Sequence, residues 1–555
     1  MADPRRIVVV GATGVFGARL ARAIAKWPDA ALVLAARRAP ELEALGAALQ
    51  AAGAANPIEI TVIDRDAPAD LERHRPWAVV DCAGPFQGSD YRLAKAALAC
   101  GAHYLDMADG RAFVAGFCEA IDPLAIAAGR QAVTGASSTP ALSHAAIDEM
   151  TRGWRRIDAV EAAIAPGARA PRGLSVTRAI LSWVGRPVRV FAGGAWRTRA
   201  GWNMLRRSRM PGLGMRWLSL AETADLDLLP TRFDTRSEAI FLAGLEAPLE
   251  HLGLWLLSLA VRFGWISRIE GWAGLLLTVS RRLAPLGSDR GGMSVTARGW
   301  GPDGEAALAR WSLVAEAGCG PQIPTLATAA MLRLWLDGPA PAAGAHVCVG
   351  RVGLSAILAQ AADLPIRTRF EASAPEDACL ARRLMGGAFG DLPASVRRVH
   401  TGEVPGHFVG RAKARGGAGL ARLARLLAAM PGPGDYDLAV NITPTANGEV
   451  WTRRFGERRL RSRLRGDARN IGAFEESIGP LTFAFDAEPA ASGYRWRFRG
   501  WRTGPVRLPN AIAPRIHARC FDRGGVYRFS VVVAHAWVGL IIAYAGWLEP
   551  PADAG

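Results

Sequence analysis

Three glycines near the start of the chain have the spacing of a nucleotide-binding loop. The run 11–17 (GATGVFG) follows an apolar stretch at 7–10 and precedes a segment of helical periodicity at 18–26. Glycines in a GxxGxxG pattern allow a tight turn, let backbone amides approach a pyrophosphate, and let a helix pack closely on a strand. The helix N-terminus adds partial positive charge for the phosphates. The pattern therefore predicts dinucleotide contacts from Gly11, Thr13, Gly14, Val15, Phe16 and Gly17.

A pair of arginines stands about 20 residues beyond the last of these glycines. Arg37 and Arg38 follow a second apolar run at 31–36. An acidic residue at this place binds the ribose 2′-hydroxyl of NAD, whereas guanidinium groups suit the 2′-phosphate of NADP. The competing explanation is compositional, because 64 of the 67 basic residues of the chain are arginine. The sequence predicts NADP as the cofactor.

A small-residue turn closes the fourth apolar run, at 77–80. It contains Cys82, Ala83, Gly84 and Pro85. Small residues at the carboxyl end of such a strand leave room for the nicotinamide ring in the crevice of a doubly wound sheet. We expect all four residues to contact the cofactor.

The proton donor has no clear motif, because the chain lacks a YxxxK sequence and has only three lysines. Four weaker candidates lie near the expected crevice: Ser138, Thr139, Tyr104 and Asp106. Each also has a purely structural interpretation. Ser138 and Thr139 would cap a helix starting near Ala141, and Tyr104 and Asp106 would support their strand. No metal site is predicted.

The order of apolar and amphipathic segments predicts an α/β protein in three parts. Residues 1–150 alternate strands and helices, which indicates a doubly wound parallel sheet of the Rossmann type. Residues 151–366 suggest an α+β domain that closes the substrate crevice. Residues 367–555 suggest a basic, β-rich α+β domain, in which the apolar run 531–547 would form two strands joined at 536–538.

Four motifs in the first part, taken together, resemble the saccharopine dehydrogenase/reductase-like superfamily: GATGVFG, AARR, DCAGPF and HYLDMADG. Two later motifs, GCGPQIPT and AGAHVCVG, look like that family's return to the core. The resemblance implies a nicotinamide-dependent oxidoreductase and leaves the substrate open. The last third resembles a domain of unknown function often fused to such modules, through LPASVRRVH, NGEVWTRRFG and GWLEP.

Two segments raise the question of a membrane. The stretch 252–280 is rich in leucine and tryptophan and has Arg262, Arg268, Arg281 and Arg282 in or beside it. It would form a buried core or pocket wall, or alternatively lie in a membrane interface. The second segment, 453–469, holds eight arginines, which would form a solvated strand face or bind an anionic partner.

Composition narrows the class of protein. The 555 residues include seven cysteines without a CxxC pair, and no apolar run is long enough for a membrane-spanning helix. The sequence thus predicts a cytoplasmic protein, with peripheral contact to anionic membrane at the inner face of the cell membrane left open. The net charge of +17 is weak evidence for nucleic-acid binding, and a homo-oligomer is left open.

Together these patterns predict an NADP-dependent oxidoreductase that transfers hydride to a C=C or C=O of a small hydrophobic or lipid-like substrate. The alternative is a non-catalytic NADP-binding scaffold or sensor at a membrane surface.

Overall fold

The structure is a computed structural model that describes most of the chain. It covers residues 4–550 apart from 69, 172, 193, 268, 303–305, 374–378, 402–406, 429, 446–447, 467–471 and 505. Arg268, the start of the NGEVWTRRFG motif and the end of the 453–469 run therefore lie outside the described residues. The chain forms two compact units: a first comprising 1–152, 157–297 and 309–371, and a second made mainly of 372–555.

The first unit contains a seven-stranded parallel sheet in the order β15-β6-β5-β4-β1-β2-β3. Its strands and helices are β1 (Arg5–Val10), α1 (Gly17–Ile24), β2 (Ala30–Ala36), α2 (Ala39–Ala51), β3 (Ile58–Val62), β4 (Ala78–Asp81), α3 (Arg92–Ala99), β5 (His103–Asp106), α4 (Arg111–Ala127), β6 (Gln131–Thr134) and α5 (Ser143–Met150).

The central strands of this sheet are mostly buried and apolar, as is typical of a parallel sheet with helices on both faces. Val8, Val33 and Val79 are fully buried on three adjacent strands. The strand order reverses between β1 and β4, so the loops that follow these two strands border a crevice at the carboxyl edge. The predicted doubly wound sheet is confirmed.

A second, nine-stranded sheet belongs to the same unit. Its main path is β10-β11-β12-β7-β13-β14-β16, and β8 joins β12 to β9. The sheet is mixed, since β12 runs parallel to β7 and antiparallel to β11. This confirms the α+β prediction for the middle of the chain.

The elements of this middle part continue in chain order from the first domain. They are β7 (Arg156–Ala165), α6 (Leu174–Leu181), β8 (Pro187–Ala192), β9 (Trp196–Ala200), β10 (Arg206–Met210), β11 (Gly214–Leu220), α7 (Asp225–Arg232), β12 (Glu238–Ala243), α8 (Pro248–Arg262), α9 (Ala273–Leu283), β13 (Gly291–Trp300), β14 (Ala306–Ala315), α10 (Ile323–Asp337), β15 (Gly344–Val347), α11 (Leu354–Ala359) and β16 (Ile366–Ser373). Strand β15 pairs with β6, so the chain returns to the first sheet.

The leucine- and tryptophan-rich stretch forms helices α8 and α9, and neither is a fully buried core helix. Helix α8 buries His251 and Ser258, and α9 buries Ala273 and Leu277. The opposite sides of the two helices, and the segment between them, expose large apolar side chains, which we call the apolar helix surface: Leu249, Leu256, Phe263, Trp265, Trp272, Leu275 and Val279. Within the described residues, no helix is long and apolar enough to cross a membrane.

The second unit is built on an antiparallel sheet that closes on itself. Ten strands pair in the order β22-β21-β20-β19-β18-β17-β27-β26-β25-β23, β22 also pairs with β23, and β24 is attached to β23. The elements are α12 (Leu380–Met385), α13 (Ala394–Thr401), β17 (His407–Arg415), α14 (Leu420–Leu427), β18 (Gly434–Thr445), β19 (Gly448–Phe455), β20 (Arg458–Gly466), β21 (Ala473–Ile478), β22 (Leu481–Ala490), β23 (Gly493–Thr503), β24 (Val506–Leu508), β25 (Arg515–Arg523), β26 (Val526–His535) and β27 (Gly539–Glu549).

The β-rich prediction for this unit is confirmed, and so is the hairpin predicted within 531–547. Strand β26 ends at His535 and β27 begins at Gly539.

The arginine run forms the β19–β20 hairpin. Period-2 alternation points Arg461, Arg463 and Arg465 outward, while Arg453 is largely buried.

Candidate functional site

The loop after β1 has the geometry of a phosphate cradle. Gly11 has a φ of +79°, and a Cβ there would lie 2.9 Å from the backbone nitrogen of Ala83. A Cβ on Gly17 would lie 2.2 Å from the carbonyl oxygen of Gly11, so this glycine is needed for helix α1 to pack on the loop. Gly14, by contrast, is exposed. Gly11 and Gly17 are thus needed for close packing of the loop, whereas Gly14 lies at the surface, where a ligand can contact the loop.

Helix α1 begins at the end of this loop. Its N-cap residue, Phe16, makes no side-chain capping hydrogen bond. Thr13, Val15 and Phe16 are partly buried, in contrast to the exposed Gly14 between them. An uncapped helix N-terminus next to an exposed glycine suits an anionic phosphate group.

The two predicted specificity arginines both lie on the surface directly after β2. Arg38 is the N-cap residue of α2 and forms a 2.8 Å ion pair with Glu41. Arg37 is exposed and makes no ion pair with any residue that the structure describes. Both guanidinium groups are therefore accessible to a phosphate. The contact itself remains a prediction.

The turn after β4 forms the other side of the crevice. The backbone nitrogen of Cys82 donates a 2.9 Å hydrogen bond to Val10, which fixes the turn against β1. The Cys82 side chain is buried, and burial raises the pKa of its thiol well above the usual value. Gly84 and Pro85 are exposed and Ala83 is half-buried. This turn therefore offers backbone and small side chains to a ligand, and the Cys82 thiol is not placed as a nucleophile.

Tyr104 lies behind the crevice surface. It is 1 % exposed, and its hydroxyl donates to Oδ2 of Asp81 at 3.3 Å. The same Asp81 oxygen accepts a 2.6 Å hydrogen bond from Arg65 Nε. Burial raises the pKa of Tyr104 well above its usual value. These contacts give Tyr104 a structural role in the present conformation.

Asp106 is also fully buried, two residues further along β5. Its Oδ1 accepts hydrogen bonds from Thr134 Oγ1 at 2.8 Å and from the backbone nitrogens of Gly135 at 2.8 Å and Ala108 at 2.9 Å. Its Oδ2 has no hydrogen-bond partner among the residues that the structure describes, and burial raises the pKa of the Asp106 carboxyl group to about 7. Asp106 thus fixes the turn after β6, and nothing in this conformation exposes it to a substrate.

Ser138 and Thr139 are buried, at 8 % and 4 % exposure. They do not cap a helix that starts near Ala141, because α5 begins only at Ser143 and its N-cap residue is Leu142. An irregular turn with extended backbone at Thr139 comes between. The predicted capping role is therefore wrong, since the Pro140 region forms its own turn before the helix.

An accessible carboxyl group that the sequence analysis missed lies three residues beyond Asp106. Asp109 is exposed, and its Oδ1 accepts a 3.3 Å hydrogen bond from Gln87 Nε2. The pKa of Asp109 is nevertheless raised. Protein atoms surround the carboxyl group and remove part of its hydration, which disfavours the charged form, although water still reaches the residue. Its position after β5 was the available signal, since this end of the strand meets the crevice.

A cavity of about 580 Å³ lies next to Gln87. Pro85 and Gln87 form one wall, and the other wall comes from α6 and the start of α9. The lining mixes apolar groups with polar ones, and the second wall consists of Leu174, Arg178, Ala179, Ser182, Glu270, Gly271, Ala273 and Gly274. The cavity has the volume of a small-molecule site and lies beside the strand edge at which a nicotinamide would bind.

The family comparison agrees with the geometry of the first sheet. Residues 7–146 match the family model described as saccharopine dehydrogenase NADP binding domain. Residues 392–548 match a domain of unknown function, DUF4166. Both resemblances predicted from the sequence are confirmed.

Three solved structures are similar to parts of the chain. Apo histidine-tagged saccharopine dehydrogenase (L-Glu forming) from Saccharomyces cerevisiae is 13 % identical, with a TM-score of 0.48 over 67 % of this chain and 100 % of its own. A short-chain type dehydrogenase/reductase from Mycobacterium ulcerans is 15 % identical, with a TM-score of 0.19 over 24 % of this chain and 67 % of its own. A short chain dehydrogenase from Mycobacterium smegmatis is 18 % identical, with a TM-score of 0.21 over 24 % and 75 %. No curated protein matches the chain.

The saccharopine dehydrogenase NADP-binding domain confirms NADP as the cofactor and implies an oxidoreductase. The residues present fit this cofactor, because the glycine cradle, the uncapped helix and the exposed arginines all lie at one sheet edge. Among the described residues, no group of three or more His, Cys, Asp or Glu side chains is placed to hold a metal ion.

Proposed function

We propose that this protein is an NADPH-dependent reductase for a hydrophobic, lipid-like substrate carrying a C=C or C=O group. The observation that carries the proposal is the cavity beside the NADP-binding domain, with Gln87 on its wall and Asp109 hydrogen-bonded to Gln87. NADPH, when bound, supplies a hydride equivalent. The chain then has to position the acceptor group, exclude competing water and supply a proton.

Asp109 is the residue best placed to supply that proton. A general acid must be protonated near the working pH, and the raised pKa of Asp109 favours the protonated carboxyl. Hydride addition to one atom of the double bond and proton transfer from Asp109 to the other complete the reduction. Because Asp109 is exposed, the carboxylate can regain its proton from solvent.

The lipid-like character of the substrate is supported by the surroundings of the cavity. Gln87 on one wall and Arg178 and Ser182 on the other contribute polar groups to the lining. Helix α9, which contributes Ala273 and Gly274 to the cavity, also exposes Leu275 and Val279 of the apolar helix surface. An amphipathic substrate matches this arrangement, with its head group in the cavity and its chain along the helix.

The test is NADPH oxidation by the full chain over a panel of long-chain enoyl and carbonyl compounds, with short hydrophilic carbonyl compounds as the comparison. Turnover confined to the long-chain members supports the proposal. Turnover of the hydrophilic compounds alone would contradict the lipid-like substrate.

A second candidate function is a non-catalytic NADP-binding sensor at a membrane surface. It is favoured by the apolar helix surface, where Trp265 is 78 % exposed and Leu249 is 74 % exposed. Large exposed apolar patches are typical of interaction sites. NADPH binding without turnover of any panel member would favour this candidate over the reductase.

A further inference from the structure

The closed sheet of the second unit encloses a cavity that the cofactor site does not use. Closed sheets of eight strands are just wide enough to be filled by side chains or to hold one small ligand. This one has ten strands in the ring. A cavity of about 100 Å³ remains among the inward-pointing side chains.

Apart from the exposed Arg519, the cavity wall mostly follows the period-2 alternation of the strands, so its residues belong to the inner face of the sheet. Leu438 and Val440 on β18, and Ala518 and Cys520 on β25, are pairs two residues apart that line it. Aromatic side chains make up much of the rest, including Trp451, Phe483 and Trp496. A mostly apolar lining with few polar groups is typical of small-molecule sites.

A buried, uncharged polar pair lies against the lining. The hydroxyl of Tyr494, which lines the cavity, lies 3.1 Å from Nε2 of the buried His400 on α13. Burial lowers the pKa of His400 to about 4, so its ring is uncharged at neutral pH. Trp496 and Val531, which also line the cavity, are only partly buried.

The lining also contains a largely buried ion pair. Arg453 Nη2 lies 3.6 Å from Glu476 Oε1, and the two side chains are 11 % and 10 % exposed. Arg453 Nη1 also donates a 2.9 Å hydrogen bond to Ser462 Oγ. Apolar replacements of buried pairs are often neutral or stabilising, so stability alone does not account for this pair. Its charges cancel, which favours an uncharged polar group beside it.

We propose that the closed sheet binds one small uncharged hydrophobic molecule, the size of a substituted aromatic ring or a short alkyl chain, that carries a single hydrogen-bonding group. An apolar cavity of about 150 Å³ stays dry and takes up benzene in a well-studied case, so the size class matches. The Arg453–Glu476 pair selects against a charged ligand. This inference is independent of the NADP-dependent activity.

The first test uses 4-fluorobenzyl alcohol as the probe and ¹⁹F NMR of the full-length protein as the measurement. Ala518→Leu fills the cavity and is expected to weaken saturable binding at least tenfold. Ala439→Leu is the matched control, because Ala439 lies between Leu438 and Val440 and points to the other side of β18. Val533→Phe fills the same cavity and replaces Ala518→Leu if that variant does not fold.

The second test concerns charge. Wild-type protein is expected to bind 4-fluorobenzyl alcohol at least tenfold more tightly than 4-fluorobenzoate. Glu476→Gln leaves the Arg453 charge uncompensated and is expected to reverse that preference. Absence of saturable alcohol binding to the wild type, equal binding by the cavity-filled variant, or an unchanged preference in Glu476→Gln would overturn the proposal.

Discussion

Three carboxyl groups near the crevice differ mainly in their surroundings. Asp81 is buried and paired with Arg65, and Asp106 is buried and accepts three hydrogen bonds. Asp109 is the one of the three that is exposed. Sequence position predicts that acidic residues gather at this strand edge. It does not predict which of them water and substrate can reach, because that depends on loops contributed by other segments.

Asp109→Asn should lower the rate of reduction by about 100-fold or more, the usual size of a general-acid contribution. In the wild type, the rate should fall as pH rises through the raised pKa of Asp109, because the carboxyl then loses its proton. The variant should lose this limb of the pH–rate profile and keep its affinity for NADPH.

Asp90→Asn is the matched control, since Asp90 is an exposed carboxylate on the same loop as Gln87. It should leave the rate and the pH profile unchanged. Retention of the high-pH limb in Asp109→Asn would assign the proton to another group.

The glycines of the first loop should respond differently to substitution. Gly14→Val should remove NADPH binding while the protein stays folded, because Gly14 is exposed and a Cβ there meets only the Gly11 oxygen, at 3.1 Å. Gly17→Val should instead destabilise the fold, since its Cβ would overlap Gly11. Circular dichroism and calorimetric titration distinguish the two effects, and normal NADPH affinity in folded Gly14→Val would contradict the cradle.

At the scale of elements, apolar patterning predicts some strands well and others poorly. The parallel strands of the first sheet are buried runs such as β1 and β2, which stand out in the sequence. The hairpins β8–β9 and β10–β11 do not, because strands such as β9 (WRTRA) and β10 (RRSRM) have few apolar residues. The arginine run 453–469 was also predicted to form a single solvated strand face. The pleat of the strand instead turns Arg453 toward the interior.

Helices α8 and α9 are predicted to bind an anionic membrane surface. Interfacial helices bind through apolar area and through attraction to anionic head groups. Arg262, Arg281 and Arg282 are exposed beside the apolar helix surface. Flotation with vesicles of graded anionic-lipid content should therefore show binding that rises with anionic lipid and falls with salt.

The double variant Trp265→Ser/Leu275→Ser should lose most of this binding. Ile126→Ser is the control, because Ile126 is an exposed apolar residue on helix α4, away from the surface under test. If the wild type stays unbound at low salt on strongly anionic vesicles, the apolar helix surface does not bind membranes.

At the scale of the whole molecule, the cofactor is far easier to predict than the substrate. The residues predicted to contact NADP follow β1, β2 and β4, which are neighbours in one sheet, so an alternating strand–helix pattern already indicates where they meet. The cavity combines residues 85–87, 174–182 and 270–274, which come together only in the folded unit. Their spacing carries no motif, so the sequence predicted a hydrophobic or lipid-like substrate only from its leucine- and tryptophan-rich stretch and not from the residues of the cavity.

The first unit is expected to bind NADPH and to recognise its 2′-phosphate through Arg37 and Arg38. Calorimetric titration of the wild type and of Arg37→Ala/Arg38→Ala with NADPH and with NADH tests it most directly. A hydrogen bond to a charged group contributes about 1.5–3 kcal/mol, so the double variant should bind NADPH at least about tenfold more weakly. Its affinity for NADH should be unchanged.

The control is Arg152→Ala, because Arg152 is an exposed arginine paired with Glu149 three residues away, as Arg38 is with Glu41. This variant should bind both cofactors like the wild type. We expect tight NADPH binding by the wild type that depends on Arg37 and Arg38. Equal losses for NADPH and NADH in the double variant, or no NADPH binding by the wild type, would contradict it.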